Sequence, residues 1–519
     1  MANKQILLVL LLVSLVSVPI FSSATTTPVT IKSWCSQTPF PEPCEDFMAD
    51  HNQHSLGIKT RVDFDRALMQ ITLDRALKAE SRTYGLGALC RNEKERVAWA
   101  DCAELYLDTI MQLNRTVHPK SKCTTFDTQT WLSAALTNLE TCRAGFIELG
   151  VSDFMLPLMS NNVSKLVSNT LAINKQLPPG QQVGAVDEEG YPSWVSPVVR
   201  KLLQSPPGAN VVVAKDGSGN FATIKQAIDA ASSRKGSERF VINVKAGVYS
   251  ENVVVDKKVK NVMLVGDGKG KTIITGSRSV QGGSTTFNSA TVAVNGDGFI
   301  ARGITFRNTA GPSNGQAVAL RSGSDLSVFY SCSFEGYQDT LYVYSQRQFY
   351  RDCDVYGTVD FIFGNAAVVL QNCNIIARKP NQGQTNIITA QGRSDPNQNT
   401  GISFHNCRVT ATPDLKQSST KTFLGRPWRP YSRTVFLKTF MDSLIDPAGW
   451  LKWASEADLK TLYYGEYMNT GPGSSTANRV KWGGYHVLNA AEASKFTVRN
   501  FIAGSSWLPA TNVPFSPAL

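Results

Sequence analysis

Two periodicities divide the chain. Between residues ~30 and 175 apolar side chains return at helical spacing. Phe64, Leu68 and Ile71 fall at i, i+4 and i+7. Cys102, Leu105, Tyr106, Ile110 and Leu113 form a second stripe, and Leu132, Ala135, Leu136, Leu139, Cys142 and Phe146 a third. Stripes of this width predict amphipathic helices packed as a bundle. From Val211 onward the apolar runs are short, rich in Val, Ile, Phe and Thr and broken by Gly and Asn: Phe240–Val244, Val262–Val265, Val368–Leu370. These predict strands. A short element recurs among them: Cys332-Ser-Phe334, Cys353-Asp-Val355, Cys373-Asn-Ile375 and Cys407-Arg-Val409, at steps of 21, 20 and 34 residues. The last step fits one repeat plus an inserted loop. Repeats of ~20–25 residues with no helix between strands predict stacked coils, a parallel β-helix. Residues ~176–208 hold Pro, Gly and acidic residues without periodicity and read as a linker. The predicted organisation is a leader over 1–24, a helical part over 25–180, a linker over 181–207 and a β-helix over 208–519.

The leader follows from Lys4, the apolar run Ile6–Phe21 and the small residues Ser22-Ser23-Ala24. This is the order of a secretory signal peptide cleaved near Ala24. The run is shorter than the ~20 residues a membrane span needs, so a membrane anchor is not expected. Secretion makes the ten cysteines disulfide candidates rather than metal ligands. Cys102 and Cys142 lie on the buried faces of two stripes and suit a bridge between them. Cys35 and Cys44 suit a small N-terminal loop closure. Cys90 and Cys123 either pair or stay free. Among the β repeats Cys353–Cys373 is the preferred bridge, with Cys332–Cys353 its geometric rival. Asn114-Arg-Thr116 and Asn162-Val-Ser164 are sequons for glycosylation.

Charge separates the same two parts. The chain carries +11 overall; residues 25–204 contribute −2 and residues 205–519 +12. A basic domain favours a polyanion: nucleic acid, an anionic membrane or an acidic polysaccharide. No finger, RRM or KH motif supports nucleic acid. Within the linker, Arg200-Lys201-Leu202-Leu203 is either a processing site or a solvated charge pair.

Candidate chemistry sits in the register of the repeats. Gln316, Gln338 and Asp360 are spaced by 22 and 22 residues, and Asp339 lies 21 before Asp360. One face of the coils then carries two carboxylates on adjacent turns. Such a pair shares a proton, so that one acts as base or nucleophile and the other as acid. The glutamine amides suit an oxyanion, and Arg426 suits a bidentate hold on the charged aspartate. Glutamine ladders in β-helices also merely satisfy one another, and Asp339 in Tyr-Gln-Asp-Thr also suits a turn. Asp360, inside Thr358-Val-Asp360-Phe-Ile-Phe363, places a charge in an apolar strand, where it needs a partner or a task. Tyr342, Phe363, Phe423, Trp428 and Trp450 suit either core or a platform for sugar rings. There is no G-x-S-x-G elbow, H-E-x-x-H, P-loop or dinucleotide fingerprint in context, and only His405 and His486 lie in the β region. A Ser-His-Asp triad is therefore not expected, and no cofactor or metal is implied.

Residues ~208–519 resemble a plant pectin methylesterase (pectinesterase) throughout. The resemblance is carried by Gly247-Val-Tyr249-Ser-Glu251, Gln316-Ala-Val-Ala-Leu320, Gly336-Tyr-Gln-Asp-Thr-Leu-Tyr342, Gly357-Thr-Val-Asp-Phe-Ile-Phe-Gly-Asn365 and Leu424-Gly-Arg-Pro-Trp428. Residues ~30–175 are similar to the pectin methylesterase inhibitor domain through the cysteines and Trp131-Leu-Ser-Ala-Ala-Leu136. The resemblance implies an all-β right-handed parallel β-helix preceded by an all-α four-helix bundle pro-domain. It implies that methyl esters at C6 of cell-wall homogalacturonan (pectin) are hydrolysed to pectate and methanol. Asp360 matches the nucleophile, Asp339 the proton donor and later base, Gln338 the transition-state stabiliser assisted by Gln316, and Arg426 the residue that orients the nucleophile. Thr286, Gln316, Arg426 and Trp428 match substrate-binding positions; Phe287, Tyr342, Phe363, Phe423 and Trp450 match the aromatic cleft. Phe423 stands where the family often has Tyr. Arg200–Leu203 resembles the family's basic processing motif, which implies a processing protease. The remaining implications are a secreted, monomeric cell-wall enzyme and an autoinhibitory or folding role for the pro-domain. Proteinaceous inhibitors are implied as further partners. Two carboxylates also suit glycosidic cleavage, but the matched motifs favour the ester.

Overall fold

The computed structural model describes residues 31–50, 58–118, 123–155, 161–177, 208–453, 455–456 and 458–519. The leader, the linker 181–207 and Arg200–Leu203 lie outside the described residues. The N-terminal part contains α1 (Ile31–Cys35), α2 (Pro41–Asp50), α3 (Arg61–Gly85), α4 (Glu93–Val117), α5 (Thr125–Glu148) and α6 (Val163–Gln176). The four longer helices α3–α6 form the bundle. α3 starts at a Thr60/Asp63 capping box and α5 at a Thr124/Asp127 one; Asn92 caps α4. Each cap satisfies backbone donors that a helix start leaves open. Cys102–Cys142 ties α4 to α5, and Cys35–Cys44 closes the α1–α2 hairpin. Cys90 and Cys123 are unbridged. Asn114 is exposed on α4 and Asn162 is half-buried ahead of α6.

The C-terminal part is a parallel β-helix of three sheets with eleven, seven and eight strands. A representative coil runs Arg347–Arg351, Asp354–Gly357 and Ile362–Gly364, one strand in each sheet. The corner before the eight-stranded sheet turns on one residue with positive φ per coil: Ser331 at 53°, Asp352 at 54°, Asn372 at 56° and Asn406 at 55°. Asn and Asp tolerate that conformation because their short polar side chains bond locally. Each of these residues immediately precedes one of the repeated cysteines, which is why the motif was regular in sequence.

Those cysteines correct one expectation. Cys353 and Cys373 are not bridged; with Cys332 and Cys407 they are buried free thiols. The flanking strands pair in register, Ser333↔Asp354↔Asn374↔Arg408. Parallel in-register strands lie ~4.8 Å apart with their Cβ vectors side by side. The Cβ separation therefore stays near the strand spacing, beyond the ~3.8 Å a disulfide prefers. The sulfurs instead donate to carbonyls of the preceding coil: Cys353 to Phe329 at 3.3 Å, Cys373 to Tyr350 at 3.6 Å and Cys407 to Leu370 at 3.3 Å.

Solenoid ends need covers. One is α7 (Ile224–Ser232), started by a Thr223/Gln226 capping box, with Ile224, Ala227, Ile228 and Ala231 buried. Its apolar period was present in the sequence and not read there. Along the middle of the eleven-stranded sheet, away from its ends, Phe496, Val498, Phe501 and Trp507 pack as an apolar cluster with Val328, Phe349 and Val369.

Candidate active site

The seven-stranded sheet builds the site. Its strands place Arg321, Tyr342, Phe363 and Ala390 in one cross-coil row. Tyr342 and Phe363 stack with centroids 4.1 Å apart, and the Trp428 ring stands edge-on to both, at 6.5 and 5.9 Å. Trp428 lies against Gly392, where a Cβ would approach the indole to 2.7 Å. Glycine there is thus a packing requirement.

The polar residues come from the turns that enter the same strands. Ala317 N donates to Gln338 O at 3.2 Å, and Asp339 N to Val359 O at 3.1 Å. Positions 316, 338–339 and 359–360 are therefore stacked coil upon coil. Asp339 and Asp360 both adopt left-handed φ, 59° and 51°. Each lies two residues before its strand, Leu341–Val343 or Ile362–Gly364. The turn residue thus projects its carboxyl out of the sheet rather than into the core.

Gln316, Gln338, Asp339, Asp360, Arg426, Thr286, Phe287, Tyr342, Phe363 and Trp428 all line one cavity of about 610 Å³. Arg426 forks onto Asp360, Nε to Oδ1 at 2.8 Å and Nη2 to Oδ2 at 2.5 Å. Asp360 is 4% exposed and Asp339 7%. Burial pushes the Asp339 carboxyl well above the usual range, and the neighbouring Asp360 charge adds to it. Burial also raises Asp360, opposed by the Arg426 hydrogen bonds and charge. Because only Asp360 has the guanidinium fork, the pair divides into a protonated Asp339 and an ionised Asp360.

Two aromatic expectations are corrected. Trp450 is 1% exposed and stacked on Tyr464 at 4.0 Å inside the β-helix core. Phe423 is 6% exposed, opposite Ile387. Ile387 lies three residues from the cavity-lining Ala390 on the same strand, ~10 Å along it, so neither Phe423 nor Trp450 lines the cavity. The wall uses Trp453 instead, with the Arg426 guanidinium 3.9 Å from its ring centroid. The two tryptophans are three apart in Trp450-Leu-Lys-Trp453, and aromatic character alone did not distinguish them.

The bundle supplies the remaining wall. Thr141, Ala144, Gly145, Ile147 and Glu148 of α5 line the cavity. The Glu148 carboxylate accepts from Thr286 N at 2.9 Å and from Thr286 Oγ1. Beside it Asp101 of α4 accepts from Thr285 Oγ1 and Asn288 Nδ2. Apolar Leu136, Leu139 and Phe146 form a single cluster with Phe287, Tyr342, Tyr344 and Phe363. Tyr344 donates to Asn138 Oδ1 at 2.8 Å, Asn365 to Thr137 Oγ1 at 2.9 Å, and Arg347 to Asp127 Oδ1 at 2.7 Å. Among the described residues no cluster suited to a metal ion occurs, and no helix is long and apolar enough to cross a membrane.

Comparison with known proteins agrees with this arrangement. The Pectinesterase family profile matches residues 210–505, and that of the plant invertase/pectin methylesterase inhibitor family matches residues 29–173. Pectinesterase 2 of Citrus sinensis is 64% identical over 511 residues, covering 97% of this chain and 98% of its own. Probable pectinesterase/pectinesterase inhibitor 17 of Arabidopsis thaliana is 65% identical over 497 residues, 94% of each chain. Among solved structures, the pectin methylesterase from carrot is 58% identical with a TM-score of 0.60, over 61% of this chain and 99% of that one. The Aspergillus niger pectin methylesterase in deglycosylated form is 32% identical with a TM-score of 0.50, over 58% and 96%. With its catalytic-type β-helix and an inhibitor-like bundle seated against the cleft, the chain belongs to the pectinesterase family.

Proposed function

We propose that the β-helix hydrolyses the C6 methyl esters of homogalacturonan, with Asp360 as nucleophile, and that the bundle restrains it. The observation that carries the reading is the division of two adjacent buried carboxyls into one fork-held by Arg426 and one without a cation of its own. An Asp360 oxygen attacks the ester carbonyl carbon. The oxyanion that forms is held by the Gln338 amide, with Gln316 beside it. Collapse breaks the C–O bond to the methoxy group, and the Asp339 proton leaves with it as methanol. An acyl-enzyme anhydride on Asp360 remains. Asp339, now a carboxylate, takes a proton from water, whose oxygen attacks the anhydride. The bond to Asp360 breaks, the galacturonic acid departs and gives its proton to solvent, Asp360 is again ionised and Asp339 again protonated. Thr286, Arg426 and Trp428 position the polymer, with Phe287, Tyr342 and Phe363 offering faces to sugar rings.

The acidic polysaccharide suits a domain of net charge +12. Glu148 and the apolar face of α5 fill part of the cleft, which supports restraint of the catalytic domain by its own pro-domain. A protease acting at Arg200–Leu203 would separate the two. Secretion to the cell wall as a monomer, glycans at Asn114 and Asn162, and susceptibility to separate inhibitor proteins complete the reading. Methanol release from highly methylated pectin, with polymer length followed alongside, tests it. Methanol without shortening supports the esterase; shortening would move the assignment to polymer cleavage.

A further inference from the structure

Arg426 is held in three ways, and its own strand and Asp360 account for two of them. Its backbone is fixed just past the strand Thr422–Gly425, where Arg426 N donates to Thr389 O at 3.0 Å. Its Nε and Nη2 fork onto Asp360. The third hold comes from elsewhere in the chain: the guanidinium carbon lies over the Trp453 ring, 3.9 Å from its centroid. Trp453 is 38% exposed, and among the described residues this is its one ring contact. A large aromatic left largely in water with a single cationic partner is not packing the core. Its place is nonetheless built. Three residues earlier, Trp450 pins the chain. The Trp450 ring stacks on Tyr464 at 4.0 Å, and its Nε1 donates to Glu466 Oε1 at 3.3 Å. Glu466 is in turn paired with buried Arg479 at 2.9 Å. Leu451 N then donates to Gly425 O at 3.0 Å. Trp450 thus anchors the segment inside the core, and Trp453 arrives outside it, on the residue that follows Gly425.

We propose that Trp453 is a positioning residue for the nucleophile: it holds the Arg426 guanidinium in the orientation that forks onto Asp360. The inference rests on the pectinesterase reading and adds to it a residue that acts only through Arg426. The Arg426 side chain is long, flexible and 25% exposed, so its head has other places to go, and ordering it costs conformational entropy. The ring offsets that cost twice. Its face attracts the cation, most strongly for Trp among the aromatic residues. Its bulk keeps water from part of the ion pair, where a higher dielectric would weaken it. The other charged and titratable groups around Asp360 do neither. Asp339 holds the proton of the pair, Tyr464 lies in the core, Glu148 of α5 is bonded to Thr286, and Arg429 lies over Trp428 at 5.4 Å. Among the described side chains Asp360 bonds Arg426 alone. Without the ring the fork is made for a smaller fraction of the time, and Asp360 is ionised only at higher pH. A roughly tenfold loss of the forked population raises its pKa by about one unit, or about 1.4 kcal/mol, within the range for a ring on a partly desolvated cation.

The test uses the full chain nicked within residues 178–207, so that polymer competes with an untied bundle for the cleft. The Asp360 carboxyl is titrated directly, by infrared difference spectra of protein carrying isotope-labelled aspartate, its band assigned by its loss in Asp360→Asn. Methanol release from methylated pectin is followed over the same pH range. Trp453→Leu keeps apolar bulk without a π face. It is expected to raise the Asp360 midpoint and the acid limb of kcat/KM by about one pH unit each. Trp453→Phe keeps a weaker face and is expected to move both by less than half as much; it also supplies the readout should Trp453→Leu fold poorly. In an Arg426→Gln background Trp453→Leu is expected to move neither any further, because the ring has no cation to hold. A midpoint and limb that stay in place while KM alone rises overturn the proposal and make Trp453 a platform for sugar. An equal shift in the Arg426→Gln background also overturns it. The two readouts separate the outcomes. A shifted Asp360 midpoint without methanol from any preparation retires the esterase reading alone, and methanol with an unmoved midpoint retires the positioning role alone.

Discussion

The Arg426–Asp360 fork makes a quantitative demand on the pH dependence of turnover. Its two hydrogen bonds are charge-assisted, and each such bond contributes about 1.5–3 kcal/mol. The carboxylate side is 6% exposed and the guanidinium 25%, so solvent screens the pair little. In Arg426→Gln one neutral hydrogen bond survives at best and the charge is gone. A loss of about 3 kcal/mol of preference for the ionised carboxylate corresponds to a rise of about two pH units in the Asp360 pKa, at 1.36 kcal/mol per unit. The direction follows from the protonation state: a nucleophile whose pKa is raised is ionised only at higher pH. The acid limb of the kcat/KM profile should therefore move up by about two units. The variant would lose about a hundredfold below the limb and recover part of it above. The assay is methanol release from methylated pectin across the acid range at sub-saturating substrate. An acid limb that stays in place while KM alone rises would refute the argument and confine Arg426 to binding the polymer.

Asp360→Ala should abolish methanol release in a protein with unchanged circular dichroism; substantial residual turnover would reject the nucleophile. Gln338→Ala should lower kcat by roughly 10²–10³, the cost of a lost oxyanion donor, with KM little changed in the same assay. Removing Cys102–Cys142, which spans 40 residues, should cost the bundle about 2–4 kcal/mol by loop closure. That cost is read as a lower urea midpoint for the bundle and higher activity of the full chain. Burial raises the Asp101 carboxyl to about 7, so the docked bundle binds protons that the free bundle releases. Docking should therefore tighten as pH falls from 7 towards the ordinary carboxylate range, by up to tenfold per unit. Binding of the nicked bundle at several pH values checks this, and Asp101→Asn should flatten it.

The parallel β-helix was legible because its constraint is written into the backbone of every coil. One left-handed corner residue, one inward cysteine and one apolar strand recur at coil length, and any such repeat is visible without knowing what it packs against. The polar ladder of the cavity was legible for the same reason: Gln316, Gln338 and Asp360 inherit the coil period. Features that depend on the third dimension were not. Whether stacked cysteines bridge is decided by the direction of Cβ vectors, which the spacing of Cys353 and Cys373 does not contain. Trp450 and Trp453 differ in which side of the wall they face, and no period governs that final stretch. Asp101, Glu104 and Asp108 look in sequence like the solvated face of a helix. Only the docked structure shows them meeting Thr285, Asn295 and Lys257.

The contacts of the bundle with the cleft join the proposed restraint to a second effect, cover for the aromatic wall. Without the bundle, the stacked Tyr342 and Phe363, with Phe287, would form an exposed aromatic strip, and such strips invite association. The bundle covers the strip with Leu136, Leu139 and Phe146. It meets the flanking Thr285, Thr286 and Asn288 with the carboxyl groups of Asp101 and Glu148. A cover built this way need not bind tightly on its own. The 30 residues from 178 to 207 join it covalently to the β-helix, and a covalent link makes its docking an intramolecular event. The cut proposed at Arg200–Leu203 would leave the contacts with the cleft as they are. It would remove only the covalent link, after which the polymer would compete with an unlinked bundle for the cleft. Under the proposed function, folding aid and restraint would be one interaction at two effective concentrations, with proteolysis as the switch between them.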